Sequence, residues 1–163
     1  MSGRVLGEYL ELTKPRITLF ILMSMAIGFF CAEHLVGSFR WLVLFHALMG
    51  TALLASGTAA LNQWYEREGD GKMRRTRQRP IPSGRMTPKA ALEFGLVLSI
   101  FGFLELWFGA NLLTAMLGAF TEFSYLFLYT PLKKISPHST TIGAIPGAMP
   151  PLIGYAAASG LLN

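Results

Sequence analysis

The chain has 163 residues, of which 52% are hydrophobic and 14% are charged, and its mean hydropathy is +0.45. Soluble domains carry about 25% charged residues, so these charges are too few to solvate an ordinary globular protein. The high apolar content excludes a disordered chain, and the single cysteine excludes a disulfide scaffold. The composition therefore predicts a membrane protein.

Five long apolar stretches approach the roughly 20 residues that a helix needs to cross the hydrocarbon core. They predict five membrane spans, at Ile17–Ala32, Trp41–Tyr65, Ala90–Trp107, Leu112–Leu132 and Ser139–Leu162. Glu93 and Glu105 interrupt the third span, and Glu122 interrupts the fourth. Residues 109–111 predict a tight turn between these two spans. The expected fold class is an all-α, polytopic transmembrane helix bundle.

The basic residues predict the orientation of this bundle. With five spans, 13 of the 14 lysines and arginines fall on one side of the membrane, and only Arg40 falls on the other. The positive-inside rule places the basic side in the cytoplasm. We therefore expect a multi-pass protein of the cell (inner) membrane, with the N-terminus and a loop at 62–89 in the cytoplasm. The net charge of +5 follows from this topology and does not indicate nucleic-acid binding.

One short segment holds almost half of the charge, because 11 of the 23 charged residues lie between Glu66 and Lys89. Asn62, Glu66 and Asp70 enter this segment at intervals of four. On a helix this interval places all three on one stripe, with about 6 Å along the axis between neighbours. A solvated helix end with local ion pairs is one interpretation. However, Glu66 and Asp70 would repel each other unless a cation lay between them.

The alternative interpretation is a metal and phosphate site. Oxygen ligands without histidine or cysteine suit a hard cation such as Mg²⁺, which takes one or two carboxylates and completes its shell with water and phosphate. Arginine side chains match phosphate oxygens bidentately. Basic residues follow the stripe at once, at Lys72, Arg74, Arg75, Arg77 and Arg79. At a membrane surface, this combination predicts a lipid diphosphate as ligand.

Three motifs carry a resemblance to a known family. The first is the stripe itself, followed by Arg75-Thr76-x-x-Arg79-Pro80 and Ser83-Gly84-Arg85. The second is Tyr129-x-x-x-Lys133, and the third is the run Gly-Ala-Met-Pro-Pro-Leu-Ile-Gly at 147–154. The first two resemble the UbiA-type intramembrane prenyltransferase superfamily. The third is similar to a signature of its protohaem IX farnesyltransferase (haem O synthase) branch.

The resemblance implies an enzyme that transfers a farnesyl group from farnesyl diphosphate to protohaem IX (haem b) with Mg²⁺, giving haem O. It implies metal ligands at Asn62, Glu66 and Asp70. The diphosphate would be bound by Asn62, Lys72, Arg75, Arg79 and Lys133. Catalytic roles fall to Asp70, Tyr129 and Lys133.

The chain departs from the family pattern in two respects. The first acid of the stripe is Glu66, where the family usually has Asp, so the carboxylate is kept with one more methylene. The family also has nine helices and a second aspartate-rich motif, neither of which fits within 163 residues. We therefore expect residues 1–163 to be the N-terminal part of one prenyltransferase domain, with 62–89 as its diphosphate-binding loop, and to be inactive alone.

Two alternatives stay open. One is another branch of the superfamily, acting on a quinone or lipid precursor, although the Pro-Pro-Leu-Ile-Gly run argues against it. The other is a non-catalytic membrane subunit that binds haem or lipid. No role follows from the motifs for Glu105 or Glu122, although acids inside membrane spans are functional candidates by default.

Overall fold

The computed structural model describes residues 2–36, 40–133 and 139–161. Helices make up nearly all of these ranges. They are α1 (Ser2–Thr13), α2 (Pro15–Val36), α3 (Trp41–Lys72), α4 (Pro88–Gly109), α5 (Leu112–Phe123), a π-helical turn (Ser124–Tyr129), α6 (Thr130–Leu132) and α7 (Ser139–Ser159). The predicted all-α fold is confirmed.

Four helical stretches of the described ranges are long and apolar enough to cross a membrane: Pro15–Glu33, Trp41–Lys72, Pro88–Gly109 and Leu112–Leu132. They correspond to the first four predicted spans. The fifth predicted span forms α7, a helix of 21 residues, but α7 is not among the four. Its three internal prolines and its glycines lower its hydropathy below that of its neighbours.

The helix α1 was not predicted from the sequence. The predicted start of the polar loop was also wrong. Residues 62–72 belong to α3, so the loop predicted at 62–89 begins only at Met73, and α4 starts at Pro88. The turn between α4 and α5 is confirmed. Asn111 caps α5 there, because its side chain accepts a hydrogen bond from the backbone N–H of Thr114 at 2.8 Å.

Two pairs of helices form the principal contacts, α3 with α4 and α2 with α7. Small residues permit close approach in both pairs. A Cβ atom on Gly102 of α4 would lie 2.6 Å from the backbone nitrogen of Leu54 on α3. A Cβ atom on Gly154 of α7 would overlap the carbonyl oxygen of Met25 on α2. These contacts bring the backbones of α2, α3, α4 and α7 around a shared interior.

The outer surface of the bundle is apolar, as expected for contact with lipid. Phe20 is 70% exposed, Trp41 71% and Phe108 77%. At 1.5 Å per residue, the 32-residue α3 is about 48 Å long, whereas the hydrocarbon core is about 30 Å thick. The helix is therefore longer than the hydrocarbon core is thick, and the acidic stripe lies on its polar C-terminal turns.

Candidate active site

The acidic stripe faces the protein interior. Asn62 is 2% exposed, and Glu66 and Asp70 are each 5% exposed. The predicted helical spacing is confirmed, since α3 continues without a break to Lys72. The interpretation as a solvated helix end is wrong, because all three side chains are buried. Burial of two carboxylates so close together requires partners of opposite charge.

Cations from distant parts of the chain supply these partners. The Nζ atom of Lys133 lies 2.6 Å from Oε1 of Glu66, and NH1 of Arg79 lies 2.5 Å from Oδ2 of Asp70. Lys133 follows the π-helical turn, whereas Arg79 belongs to the loop after α3. The structure thus brings together five of the residues predicted from the motifs: Asn62, Glu66, Asp70, Arg79 and Lys133.

Packing and hydrogen bonds fix the loop that carries Arg79. The Thr76 hydroxyl donates a hydrogen bond to the carbonyl oxygen of Asp70 at 3.0 Å. Ile81 and Met86 are buried in a cluster with Leu12 of α1. Arg85 forms an ion pair of 3.0 Å with Glu11, also on α1. Because α1 and the loop are tied together in this way, the guanidinium of Arg79 has a defined position over the stripe.

Asn62 connects the stripe to two other elements. Its amide oxygen accepts a hydrogen bond from Lys14 at 3.5 Å, and its amide nitrogen donates one to the hydroxyl of Thr130 at 3.2 Å. The Thr130 hydroxyl in turn donates to the carbonyl oxygen of Tyr125, five residues earlier, at 2.7 Å. That carbonyl lies within the π-helical turn, a feature that occurs often at functional sites. The turn places Tyr129 and Lys133 beside the stripe.

Lys14 also contacts the stripe, through Asn62. From the sequence, Lys14 was interpreted only as one of the basic residues that set the membrane orientation. Its φ of 48° lies in the left-handed region, which residues other than glycine rarely adopt. Burial, together with the nearby positive charge of Arg79, lowers the pKa of its ammonium group to about 8. Strained backbone is a feature of functional sites. A lysine immediately before proline, at a break between two helices, was the available signal.

A cavity of about 620 Å³ opens beneath these polar residues. This is within the usual range for small-molecule sites. Lys14 and Tyr129 line it near the stripe, and Leu54, Leu106 and Ile153 contribute to its apolar wall. The cavity is enclosed by residues of α2, α3, α5 and α7, with a small contribution from α4. A polar head and an apolar tail could therefore bind at successive depths.

Some predicted residues lie apart from this cluster. The side chains of Lys72 and Arg75 are exposed on the loop side, and no ion pair joins either to the acids in the described ranges. Within the same ranges, no three His, Cys, Asp or Glu side chains converge as metal ligands. The stripe offers two carboxylates and one amide. Glu105, far from the stripe, pairs instead with His46 at 2.7 Å.

The position of Tyr129 gives a first testable prediction. A Cβ atom on Gly143 of α7 would lie 2.7 Å from Cε2 of the Tyr129 ring. We expect Gly143→Ala to displace this ring and lower the activity of the complete gene product by about tenfold, since small misplacements within a site are costly. Gly7→Ala on α1 is the control, because a Cβ atom there meets no atom within 4 Å and Gly7 is not among the residues that line the cavity. Equal rates in the two purified variants would show that the ring position does not matter.

The arrangement places buried basic and acidic side chains beside an apolar cavity, and comparisons with known proteins identify the class. Residues 20–163 match the model of the UbiA prenyltransferase family. The chain therefore belongs to the UbiA prenyltransferase family.

Individual relatives are more specific. Over 96% of its length, the chain is 60% identical to the protoheme IX farnesyltransferase of Solibacter usitatus. It is 46% identical to the same enzyme of Koribacter versatilis over 98% of its length. These matches cover 56% and 52% of the relatives, so the chain spans about half of their length.

A solved structure, from a study of digeranylgeranylglyceryl phosphate synthase in membranes, has the same fold. It matches with a TM-score of 0.81 and 23% identity, covering 93% of this chain and 53% of that protein. At this identity the likeness concerns the fold. It supports the helical arrangement around the stripe.

Proposed function

We propose that this chain forms part of an enzyme that transfers a farnesyl group from farnesyl diphosphate to protohaem IX (haem b), giving haem O. The observation that carries the proposal is the buried acidic stripe, whose carboxylates pair with Lys133 and Arg79, next to an apolar cavity. The positive charges of these side chains suit the negatively charged oxygens of a diphosphate, and the apolar wall of the cavity suits a hydrocarbon tail. Haem as the acceptor is supported by the names of the relatives and by the motif at 147–154.

The stripe fits Mg²⁺ by the chemistry of its donors. Two carboxylates and one amide oxygen, on one face of α3, leave the rest of an octahedral shell for water and phosphate. Asn62, Glu66 and Asp70 would hold the ion. When bound, it would neutralise charge on the diphosphate and so assist its departure.

The chain's own cations would then bind the diphosphate oxygens. In the structure Lys133 and Arg79 each contact one carboxylate of the stripe, so both would lie beside a diphosphate held there. Lys14, at the mouth of the cavity, would supply a further charge. The exposed Lys72 and Arg75 would guide the anion from the membrane surface.

Tyr129 would stabilise positive charge on the carbon side of the breaking bond. Its ring lines the cavity, and Nζ of Lys133 lies 6.0 Å from the ring centroid. The face of an aromatic ring attracts positive charge. As the allylic carbon–oxygen bond ionises, the ring would stabilise the carbocation while Lys133 holds the departing diphosphate.

The protein is polytopic, with several apolar helices. We propose the bacterial inner membrane as its location, with the N-terminus and the loop between α3 and α4 in the cytoplasm. The 13-to-1 division of basic residues supports this orientation. Accordingly, farnesyl diphosphate would enter from the cytoplasmic side.

The test uses the complete product of the gene, purified in detergent and supplied with haem b, farnesyl diphosphate and Mg²⁺. Formation of haem O, measured by chromatography and mass spectrometry, is the expected result. Parallel reactions offer an aromatic quinone precursor as acceptor. Prenylation of that acceptor in place of haem would overturn the assignment of the branch. Release of no diphosphate with either acceptor would overturn the assignment as a prenyltransferase.

A further inference from the structure

A polar cluster lies in the middle of the bundle, below the stripe. Glu122 of α5 accepts a hydrogen bond of 2.5 Å from the hydroxyl of Ser99 on α4. Thr58 of α3 lies close to this carboxyl group in the cavity wall, and its own hydroxyl donates to the carbonyl oxygen of Leu54 at 2.8 Å. An acid at this depth is costly unless it is partnered or has a function. The cluster accounts for the burial of Glu122 without assigning it a task.

The depth of Glu122 relative to the site follows from the helices. Thr58 precedes Asn62 by one turn of α3, or about 6 Å along the axis. Glu122 lines the same cavity as Thr58 and lies near it, about one turn deeper than Asn62. Glu122, near the end of α5, precedes Tyr125 of the π-helical turn by three residues, and both side chains line the same cavity. Glu122 thus lies beyond the diphosphate position, where the reacting end of the tail and the acceptor would meet.

Glu122 is also chemically distinct among the residues that line the cavity. The described lining contains one other residue that is charged in its usual state, Lys14, and no second acid. A carboxylate has about four lone-pair sites, so the hydrogen bond from Ser99 leaves capacity for further donors. A water molecule at an interior site needs two to four polar partners, and the hydroxyls of Ser99, Thr58 and Thr121 lie in or beside this part of the wall.

The proposed reaction requires such a group. Once the C1–oxygen bond has ionised and its electron pair has left with the diphosphate, the vinyl π-electrons attack C1 of the farnesyl cation and a carbon–carbon bond forms. A positive charge then remains on the vinyl carbon next to the macrocycle. Addition of water through an oxygen lone pair discharges it, and the loss of one proton leaves a hydroxyl group. This proton needs an acceptor within the cavity.

We propose that Glu122 is the catalytic base that positions this water and takes its proton. The proposal rests on the proposed farnesyl transfer to haem. The hydrogen bond from Ser99 holds the carboxylate in place, so Ser99 is a positioning residue. After the product leaves, the proton returns to solvent through the cavity mouth.

The test compares Glu122→Gln, Glu122→Asp and Ser99→Ala in the complete gene product with Glu105→Gln, whose acid lies outside the cavity lining. General-base catalysis contributes about 10²–10⁴-fold. We expect Glu122→Gln to lower the kcat for hydroxylated product by about 10²-fold, with KM for farnesyl diphosphate within about twofold of wild type. It should also remove the acidic limb of the pH–rate profile and yield a product lighter by one water. Glu122→Asp should restore part of the rate.

Several outcomes would overturn the inference. One is a Glu122→Gln enzyme that forms the hydroxylated product at the wild-type rate. Another is equal loss in the Gln and Asp variants with an unchanged pH profile, as a purely structural role would give. If Glu122→Gln does not fold, Ser99→Ala decides, with an expected loss of about tenfold and a shifted acidic limb. A wild-type enzyme that makes no haem O would contradict the proposed function itself, which separates the two failures.

Discussion

Replacement of Asp70 by Asn is expected to lower prenyl transfer by about 10²-fold or more, the range found when one group that stabilises transition-state charge is removed. The carboxylate is 5% exposed and paired with Arg79 at 2.5 Å. Asn keeps the shape of the side chain and removes its charge. The variant would lose a ligand for the metal, and Arg79 would lose the anion that holds it over the site. The measurement is diphosphate release at a series of Mg²⁺ concentrations.

Glu68→Gln is the matched control for this variant. Glu68 lies on the same turn of α3, but its side chain is 85% exposed and pairs with the neighbouring Arg67 at 3.7 Å. It removes the same charge from the same part of the chain, away from the stripe, so its rate should stay near wild type. Similar rates for Asp70→Asn and Glu68→Gln would contradict the assignment of the stripe. A rate for Asp70→Asn that recovers at high Mg²⁺ would locate the defect in metal affinity.

Much of the fold was predictable because apolar length and helical spacing are local properties. The run from Trp41 onward predicted α3, and the interval of four placed Asn62, Glu66 and Asp70 on one buried face. The limits of prediction lay where local signals conflict. Prolines inside α7 lower its hydropathy although it is helical, and α1 is too short and polar to register as a span.

The partners of the stripe were less accessible to sequence analysis. Lys133 and Glu66 are far apart along the chain, and the motifs suggested that both belong to the site without showing that they form an ion pair. Lys14 gave no motif of its own, and its role depends on a left-handed backbone that brings it to Asn62. The sequence showed that Glu122 is an acid inside a predicted span. Only the packing of α4 against α5 shows that the Ser99 hydroxyl donates a hydrogen bond to it.

Charge alone did not distinguish the basic residues that reach the site. Lys72 and Arg75 precede Arg79 in one basic run. Of these three residues, Arg79 is the one that forms an ion pair with Asp70. The difference arises from the loop, where Pro80 and Ile81 are buried and fix the direction of the chain. Burial of neighbouring apolar residues thus selects which arginine enters the site. That selection depends on tertiary packing against α1 and α4, which the basic run does not encode.

The pair formed by Lys133 and Glu66 allows stability and catalysis to be separated. Lys133→Met leaves the buried carboxylate of Glu66 without its cation. Breaking a buried pair costs about 3–5 kcal/mol, and the 38% exposure of the Lys133 side chain reduces this to roughly 1–3 kcal/mol because solvent screens the charge. We expect a lower Tm in detergent and a large loss of prenyl transfer. Lys89→Met is the control, since Lys89 forms an exposed pair with Glu93.

The double variant Glu66→Gln/Lys133→Met then tests what the pair is for. Removing both charges relieves the uncompensated carboxylate, so the Tm should return most of the way to the wild-type value. Prenyl transfer should not recover, because the metal would still lack one ligand and the diphosphate one cation. Recovery of both properties would show that the pair serves stability alone. Recovery of neither would show that the two side chains contribute to folding independently of their mutual contact.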